Sequence, residues 1–401
     1  MSTLSNKHIL LGVTGSIAAY KAADLASKLA QAGAQVDVIL TNAAEKFITP
    51  LTFQSVTGRR AYTEKDLWGN EAHVLHVSFG KTADLLVIAP CTADTIAKLA
   101  NGIADNLLTV TALAAQCPLV IAPAMDGGMF DHPATQENVS TLKKRGAIIV
   151  GPAEGHLASG LTGAGRMSEP AEILGHVRVV LGKNGKLAGK RIVVTAGGTQ
   201  EALDPVRVIT NHSSGKQGYA LAQAALDAGA DVCLITAPTA LTPPMGARVV
   251  NIHSAQEMLD AVLAESADAL IMSAAAADFT PKTIARDKLK KRDGIPQVEL
   301  TVAPDILKTV SVQKSEKKRF QVVIGFAAES RDLLENATEK LQSKKLDMIV
   351  ANDISSNDAG FAVDTNRVTF LFADGTKETM PLMSKMEVAE KIIEHTSRLL
   401  E

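Results

Sequence analysis

The sequence predicts an α/β protein with two Rossmann-like, doubly wound domains and mainly parallel sheets. Two observations carry this prediction. Short apolar stretches typical of buried strands alternate with amphipathic helical stretches along most of the 401 residues. The same order of strand, glycine turn, helix and strand also begins twice, near residue 8 and near residue 191. A chain longer than roughly 300 residues divides its core between domains.

The predicted elements follow one another in the order that a parallel sheet requires. In each half an apolar strand leads into a glycine turn and an Ala/Leu-rich helix, at 17–33 and at 218–230. Gly33 ends the first of these helices. The predicted strands are 8–13, 36–41, 83–90, 118–124, 146–151, 191–199, 232–236, 269–275, 321–327 and 347–353.

The domain boundary is predicted in a small, basic, glycine-rich segment at 181–191. We place one domain at 1–183, a linker at 184–190 and a second domain at 191–401. A further irregular segment, 281–297, is too long and too charged for a simple turn. Its length predicts a functional loop or a flap.

Composition and charge narrow the class of partner. The chain has 41 basic and 43 acidic side chains, and its net charge of -2 predicts neither a nucleic acid nor an anionic membrane as partner. No apolar run reaches the roughly 18 residues of a transmembrane helix. Cys91, Cys117 and Cys233 are too widely spaced for a disulfide framework or a zinc site. We therefore expect a soluble, cytoplasmic protein that binds small molecules.

Polar residues follow several predicted strands of the first half, where ligands bind in doubly wound sheets. Gly15 and Ser16 precede the first helix, whose free N–H groups suit a phosphate. Thr92 and Thr95 precede another helix. The first motif lacks GxGxxG and a Walker sequence, so a dinucleotide site or a Walker-type site is not supported. Each pattern is also typical of a tight turn or a helix cap. A phosphate site and plain capping both remain open.

The second half has a longer polar stretch between its first strand and its first helix. Gly197, Gly198 and Thr199 form a turn in which the backbone can approach a ligand closely. Residues 213–216, Ser-Ser-Gly-Lys, then lead into the helix predicted to begin near Gly218. This arrangement suits a phosphate or an acyl phosphate. Capping by the serines is the alternative.

Longer motifs resemble two known enzyme families. The first half is similar to flavin-dependent cysteine decarboxylases in GVTGSIAAYK, in the pair His76–Val77, in APCTADTIAKLANGIADNLL, in PAM…MF and in LASG…GxGRM. The second half is similar to phosphopantothenate–cysteine ligases in AGGT…DPVR, NHSSGK, AAAADF, KLKK, PDIL, GFAAES and IVAND. In this order they resemble the bifunctional bacterial enzymes of coenzyme A synthesis, over nearly the whole chain.

The resemblance implies FMN in the first domain, with its phosphate near Gly15 and Ser16. Further implied contacts are Thr41, Thr92, Thr95 and Met125. His76 corresponds to the active-site histidine of the family, although a single histidine is also typical of a satisfied residue at a strand edge. FMN explains a decarboxylation without net redox change. The cysteinyl thiol is oxidised to a thioaldehyde, carbon dioxide leaves, and the enethiolate is reduced again.

Two positions depart from the decarboxylase pattern. Asp126 stands where the family has asparagine, and Ser159 stands where it has a flap cysteine. One interpretation is a working variant, in which desolvation keeps Asp126 protonated as a proton-sharing acid and Ser159 relays the proton. The other is a weakened decarboxylase. In that case the first domain is an FMN-binding scaffold for the ligase.

For the second domain the resemblance implies CTP, 4'-phosphopantothenate and cysteine as substrates. The carboxylate attacks the α-phosphate of CTP, pyrophosphate leaves, and the cysteine amine then displaces CMP from the acyl cytidylate. Asn211 corresponds to the residue that holds this intermediate. Lys288 in the flap-like segment, with Lys340 and Lys344 on one helix face, would neutralise the triphosphate; solvated lysines are the alternative. The remaining implied nucleotide-pocket residues are Asp278, Pro304, Asp305, Ile306, Leu307 and Phe326.

The resemblance also implies a metal ion and an oligomeric state. Mg²⁺ should accompany CTP while keeping several waters and few protein ligands. Trimeric contacts of the flavin domain and dimeric contacts of the ligase domain imply a homo-oligomer, a dodecamer, in which the flavin lies at a subunit interface. A non-catalytic flavin-binding regulatory protein is a further alternative. The triphosphate-neutralising lysines count against it.

Overall fold

A computed structural model divides the chain into two compact units, residues 2–181 and 182–401. Each unit holds one large sheet with helices packed against it. None of the described helices combines the length and the apolar character that crossing a bilayer demands. The structure describes residues 3–68, 74–157, 159–291, 295–317, 319–329, 332–353 and 363–401.

The first unit alternates strands and helices along its length. Two short 3-10 helices, Ala44–Lys46 and Glu64–Trp68, lie between them. Its strands and helices are β1 (His8–Val13), α1 (Ala19–Gln31), β2 (Gln35–Leu40), α2 (Pro50–Thr57), β3 (Ala61–Tyr62), α3 (Leu75–Thr82), β4 (Leu85–Cys91), α4 (Ala93–Asn101), α5 (Leu107–Ala114), β5 (Leu119–Pro123), α6 (Gly127–Asp131), α7 (Pro133–Lys144), β6 (Ile148–Ile149), β7 (Ala153–His156), β8 (Thr162–Arg166) and α8 (Pro170–Gly182).

The first sheet is fully parallel, in the order β3-β2-β1-β4-β5-β6. This order reverses between β1 and β4, and ligands of doubly wound sheets bind beside that reversal, at the carboxyl ends of the strands. Along β1, Ile9 and Leu11 belong to one apolar cluster and Leu10 to another. Both faces of the strand are therefore buried, which explains its continuous apolar run.

A buried ion-pair network ties β1 to β2. Asp37 is 3% exposed and accepts hydrogen bonds from Arg59 through both oxygens, at 2.8 Å each. The His8 Nε2 lies 2.8 Å from Asp37 Oδ2. Burial opposes ionisation, but the hydrogen bonds to His8 and Arg59 hold the pKa of the Asp37 carboxyl below its ordinary value.

The Asp37→Asn variant should lower the free energy of unfolding at pH 7 by about 2 kcal/mol, because it removes the buried charge that these donors face. A carboxyl with a lowered pKa stabilises the fold above its ordinary pKa, and that stability is lost as the pH falls through the lowered value. Thermal unfolding of both proteins across pH 3 to 7 measures this. Asp24→Asn is the control, because Asp24 pairs with Lys28 on the exposed face of α1; an equal loss there would contradict the prediction.

The second unit is larger and has more short strands. Its strands and helices are β9 (Arg191–Ala196), β10 (Gln200–Ala202), β11 (Val208–Thr210), α9 (Lys216–Asp227), β12 (Asp231–Thr236), β13 (Arg248–Asn251), α10 (Ala255–Ala264), β14 (Ala267–Met272), β15 (Phe279–Pro281), β16 (Leu300–Val302), α11 (Ile306–Lys317), β17 (Phe320–Glu329), α12 (Leu333–Ser343), β18 (Met348–Asp353), β19 (Thr365–Asn366), β20 (Val368–Phe372), β21 (Lys377–Thr379), β22 (Met383–Ser384) and α13 (Lys385–Leu399).

The second sheet has the order β13-β12-β9-β14-β17-β18-β20-β21. The first six strands are parallel and repeat the topology of the first sheet, with the reversal between β9 and β14. Strands β20 and β21 extend it antiparallel. The predicted class, two doubly wound domains with mainly parallel sheets, is confirmed.

Each strand predicted from the sequence is present, although the ends of several strands differ from the prediction. The boundaries of two helices and of the linker also differ. Helix α9 begins at Lys216, before the predicted Gly218, so Lys216 lies in its first turn. Thr95 lies inside α4 and does not precede it. Leu187 of the predicted linker is buried against the second unit, and its amide donates to Ala228. The segment is therefore packed, and the exact domain boundaries stay a prediction.

The short strands β15 and β16 were not predicted. They pair as an antiparallel hairpin on either side of the segment predicted as a flap. The amide of Leu289 in that segment donates to Asp204 Oδ2 at 3.1 Å. The described part of the flap is therefore attached to the loop that follows β10.

Candidate active sites

A cavity of about 640 Å³ opens at the reversal point of the first sheet. The loops after β1, β2, β4 and β5 line it, because the carboxyl ends of these parallel strands meet at one edge. The structure brings together the six residues implied as FMN contacts. They are Gly15, Ser16, Thr41, Thr92, Thr95 and Met125.

Gly15 allows two of these loops to meet. A Cβ added at Gly15 would lie 2.4 Å from the Cβ of Ala43, which follows β2. Ser16 Oγ accepts a hydrogen bond from the Ala18 amide at 3.2 Å, beside the start of α1. The turn therefore presents backbone close to the cavity at a helix N-terminus, where a phosphate is favoured.

The threonines after β4 form a hydrogen-bonded cap. Thr92 is the N-cap of α4, and its amide donates to Thr14 Oγ1 at 3.1 Å. Its hydroxyl lies 3.2 Å from that of Thr95, which is 4% exposed. Capping and lining of the cavity are thus served by the same residues, so the two sequence interpretations do not exclude one another.

The wall of this cavity also carries acids. Glu64, Asp94 and Asp105 line it together with Lys98. Lys98 pairs with both aspartates, at 3.2 and 3.1 Å.

The two departures from the decarboxylase pattern are in direct contact. Ser159, between β7 and β8, donates a hydrogen bond from Oγ to Asp126 Oδ2 at 2.5 Å. The Gly128 amide donates to Asp126 Oδ1 at 3.0 Å. The Ser159 bond, and then the Gly128 bond, lower the pKa of the Asp126 carboxyl. These acceptor contacts favour the ionised form of Asp126 in this structure, and protonation by desolvation in a closed pocket stays a prediction.

His76 is not among the residues that line the first cavity. It lies in the first turn of α3, so the alternative that placed it at a strand edge is wrong. Residues 69–73 before this helix lie outside the described part of the chain. Within the described unit, His76 is thus separate from the set around Gly15.

A second cavity, of about 620 Å³, opens at the reversal point of the second sheet. The loops after β9 and β14 are joined there by hydrogen bonds. The Ala275 amide donates to Gly197 O at 2.9 Å, and the Ala277 amide donates to Thr199 Oγ1 at 2.9 Å. The implied ligase residues on its wall are Asn211, Asp278, Pro304, Asp305, Ile306, Leu307, Phe326, Lys340 and Lys344.

The Ser-Ser-Gly-Lys segment forms the entry to α9 on this wall. Gly215 is the N-cap with φ +75°, a left-handed conformation that favours glycine. Asn211, just before it, donates from Nδ2 to Ala276 O at 3.1 Å. The amide side chain is therefore held at the joined loops.

Two lysines contact acceptors at another part of this cavity. Lys340 donates to Phe326 O at 2.8 Å, and Lys344 pairs with Asp305 Oδ2 at 3.0 Å. Burial opposes ionisation of Asp305, but hydrogen bonds from the Lys308 amide and from Lys344 lower its pKa. Lys344 is the C-cap of α12, so the two lysines do not both lie on the helix as predicted. They nevertheless face one cavity.

Lys288 is exposed and is not among the residues that line the second cavity. The structure thus does not bring it to Lys340 and Lys344. The neighbouring residues 292–294 lie outside the described part of the chain. Asp278 is exposed but lies on the cavity wall.

Both units of the chain are similar to known proteins of one family. Residues 1–182 match the family model Flavoprotein, and residues 187–399 match the DNA/pantothenate metabolism flavoprotein C-terminal domain. Over 401 residues the chain is 47% identical to the coenzyme A biosynthesis bifunctional protein CoaBC of Bacillus subtilis (strain 168), covering 99% of this chain and 98% of that protein. The chain belongs to the family of coenzyme A biosynthesis bifunctional proteins.

Two solved structures are similar to single units of this CoaBC family member. The C-terminal domain of a coenzyme A biosynthesis bifunctional protein CoaBC is 41% identical, with a TM-score of 0.46, and the match covers 54% of this chain and 98% of that chain. The FMN binding protein AtHal3 is 33% identical, with a TM-score of 0.40, covering 43% of this chain and 96% of that chain.

Several wall residues of this CoaBC family member were not predicted from its sequence. They are Asn352, Asn366 and Lys385, which line the second cavity near Lys216. Asn352 lies near the end of β18, Asn366 lies in β19 and Lys385 begins α13. The sequence gives a weak signal for them, since polar residues after a buried strand mark a ligand edge. Nothing in it shows that the chain returns to this edge after Asn352.

Proposed function

We propose that this chain joins 4'-phosphopantothenate to cysteine with CTP and then decarboxylates the product to 4'-phosphopantetheine. The observation that carries the proposal is the second cavity at its reversal point. There, Asn211, the Ser-Ser-Gly-Lys entry to α9, and Lys340 and Lys344 face one space of about 620 Å³. That volume suits a nucleotide and a small acid.

The lysines and the helix entry supply the electrostatics of the ligation. A carboxylate is a poor acyl donor until its oxygen is bonded to the α-phosphorus of CTP. Cations that already face the cavity stabilise the negative charge of the departing pyrophosphate without reorganisation. Asn211 can donate to and accept from the acyl cytidylate, because a neutral amide does both. Lys288 would join them if the flap moves over the cavity.

Magnesium and the choice of nucleotide complete this half of the proposal. Mg²⁺ would be held mainly by the triphosphate and water, which accords with the few protein ligands it needs. The PDIL segment, residues 304–307, and Phe326 would surround the base. We propose CTP as the nucleotide on the family resemblance.

The first cavity fits FMN. Gly15 removes the side chain that would fill the turn, and the start of α1 offers N–H groups to a phosphate. When bound, FMN supplies the reversible two-electron chemistry that decarboxylation of an unactivated cysteinyl carboxylate needs.

Asp126 and Ser159 are proposed to handle the proton of that reaction. An ionised Asp126, assisted by Ser159, takes the thiol proton as hydride leaves the neighbouring carbon. The proton taken up makes Asp126 the acid for the later return step, when hydride also returns. One proton and one hydride leave the substrate, and carbon dioxide leaves its electron pair in the enethiolate. The hydride then returns together with two protons, one from Asp126 and one from water, so that hydrogen replaces the lost carboxylate.

His76 and the assembly form one further part of the proposal. His76 does not line the first cavity of its own chain. We propose that it acts at a flavin in a neighbouring copy, within a homo-oligomer that the family resemblance implies to be a dodecamer.

The domain division at 1–183, 184–190 and 191–401 belongs to this proposal as well. A cytoplasmic location stays a prediction.

One reaction series tests the proposal. Protein, 4'-phosphopantothenate, CTP and Mg²⁺ without cysteine should release pyrophosphate and accumulate an acyl cytidylate. Adding cysteine should give CMP, the amide and then carbon dioxide. Mass spectrometry detects each product. If labelled CTP remains unconsumed with the acid and Mg²⁺ present, the ligase assignment is wrong. Amide without carbon dioxide from FMN-loaded protein would instead leave a ligase with a flavin-binding scaffold.

A further inference from the structure

Two buried amide oxygens on the wall of the second cavity lack a hydrogen-bond partner. They are the Oδ1 atoms of Asn352, which is 9% exposed, and of Asn366, which is 3% exposed. Across the described part of the chain such orphaned side-chain atoms are few, and the only others are Thr111 Oγ1 and Ser168 Oγ in the first unit. An unpaired buried acceptor is costly, so a ligand that donates hydrogen bonds is indicated.

The orientation of Asn366 is set by its neighbours. Its Nδ2 donates to Gln217 Oε1 at 2.9 Å, and Gln217 Nε2 donates to the Lys385 carbonyl at 3.1 Å. Gln217 therefore offers its oxygen to Asn366, which commits the Asn366 amide nitrogen. The remaining atom, Oδ1, can only accept.

Two lysines line the same cavity as this acceptor. The Lys385 residue is 7% exposed, and its amide donates to Asp364 O at 2.9 Å. Lys216 pairs with Asp364 Oδ1 at 2.6 Å, and both lysines line the cavity. Burial, and then the charge of Lys216, lower the pKa of Lys385. An anionic group on the ligand would offset both effects.

One fixed acceptor and one buried lysine on the same wall indicate a ligand that has both a hydrogen-bond donor and an anionic group. A triphosphate and a pyrophosphate have only acceptor oxygens when ionised, so neither can satisfy Asn366 Oδ1. Phosphopantothenate has hydroxyl and amide donors but no amine. A zwitterionic α-amino acid has N–H donors and a carboxylate on one carbon.

We propose that Asn366 and Lys385 form the subsite for the amino acid that attacks the acyl cytidylate, with the amine on Asn366 Oδ1 and the carboxylate at Lys385. This inference rests on the proposed ligase function. In the step it serves, the ammonium first gives one proton to water, and the lone pair of the resulting amine then forms the amide bond as the acyl–oxygen bond breaks. CMP leaves with that electron pair, and the second proton lost by the nitrogen passes to water.

The Asn366→Leu variant tests the amine contact. Leucine keeps the volume but cannot accept a hydrogen bond. The KM for cysteine should rise about tenfold to a hundredfold, as expected for losing a hydrogen bond to a charged or reacting group. Pyrophosphate release from CTP and phosphopantothenate without cysteine should stay within about twofold, since the first step does not use this contact.

The Lys385→Met variant tests the carboxylate contact, with cysteamine as the comparison substrate. Cysteamine has the amine but no carboxylate. The variant should raise the KM for cysteine and leave that for cysteamine unchanged, whereas Asn366→Leu should raise both. Asn251→Ala, an exposed asparagine on the edge strand β13, is the control and should change neither.

Two outcomes overturn the subsite. Equal loss of pyrophosphate release and of amide formation in Asn366→Leu would show a triphosphate or a structural role for that residue. An unchanged KM for cysteine in both variants would place the amino acid elsewhere. Either result differs from failure of the ligase function, in which the unaltered protein itself would release no pyrophosphate.

Discussion

The Gly15→Val protein is expected to purify without FMN while it keeps CTP-dependent pyrophosphate release. A Cβ at this position would lie 2.4 Å from the Cβ of Ala43 and 3.1 Å from its carbonyl carbon. Close-packed interiors cannot absorb such an overlap, so the loops after β1 and β2 must separate, and the branched side chain fills the phosphate position. Flavin content, read from absorbance near 450 nm, should fall to about a tenth or less.

A glycine in the same unit provides the control for Gly15→Val. Gly58 follows α2, and nothing lies within 4 Å of a Cβ added there. Gly58→Ala carries the strain of its positive φ but no overlap, so it should retain FMN. Thermal unfolding of each variant separates lost binding from lost folding. Full flavin content in a folded Gly15→Val protein would disprove the proposed phosphate position.

Replacing Asp126 or Ser159 by alanine is expected to slow carbon dioxide release about a hundredfold or more, the scale of losing an acid–base partner. The two side chains share a 2.5 Å hydrogen bond, so each needs the other in place. The double variant should therefore be scarcely slower than either single variant. Rates are measured with isolated phosphopantothenoylcysteine on FMN-loaded protein, so the ligase does not limit them.

The pH profile distinguishes the role of Asp126. Its pKa is lowered, and the proposed mechanism needs the ionised form at the start. Activity should therefore be level above the ordinary carboxyl pKa and fall only as the pH drops through the lowered value. An acid that must begin protonated gives the opposite sign, with activity lost as the pH rises.

Thr162→Ala is the matched control for the Asp126 and Ser159 variants, since Thr162 is exposed in the same hairpin. It should leave carbon dioxide release unchanged. Additive losses in the Asp126 and Ser159 variants would show that the contact is incidental. Undiminished release in both would remove the pair from the mechanism altogether.

Strands and the turns after them can be predicted from a few neighbouring residues. The strands at 8–13 and 191–199 were predictable because burial on both faces produces continuous apolar runs, and the glycine turns after them indicate a ligand edge. Residues that follow such strands, including Gly15 after β1 and Thr92 after β4, therefore converge on one cavity as expected. Their roles were supplied by the family resemblance, not by the pattern.

Other features depend on contacts between distant residues. Asp126 and Ser159 are 33 positions apart, and only the hairpin that returns Ser159 to Asp126 determines which form of the carboxyl is favoured. Protonation depends on the donors within hydrogen-bond reach, and desolvation alone does not identify them. Lys340 and Lys344 were likewise predicted on one helix, whereas the helix ends between them.

By itself, the sequence determined the α/β class, the two doubly wound sheets and the edges at which ligands bind, because hydrophobic periodicity and glycine turns act over a few residues. Only the tertiary structure decided which donors lower the pKa of Asp126, the position of His76 outside the described lining of its own cavity and the orphaned oxygens of Asn352 and Asn366. Hydrogen-bond partners and burial are set by segments that meet in space, and a linear pattern does not encode which of them meet.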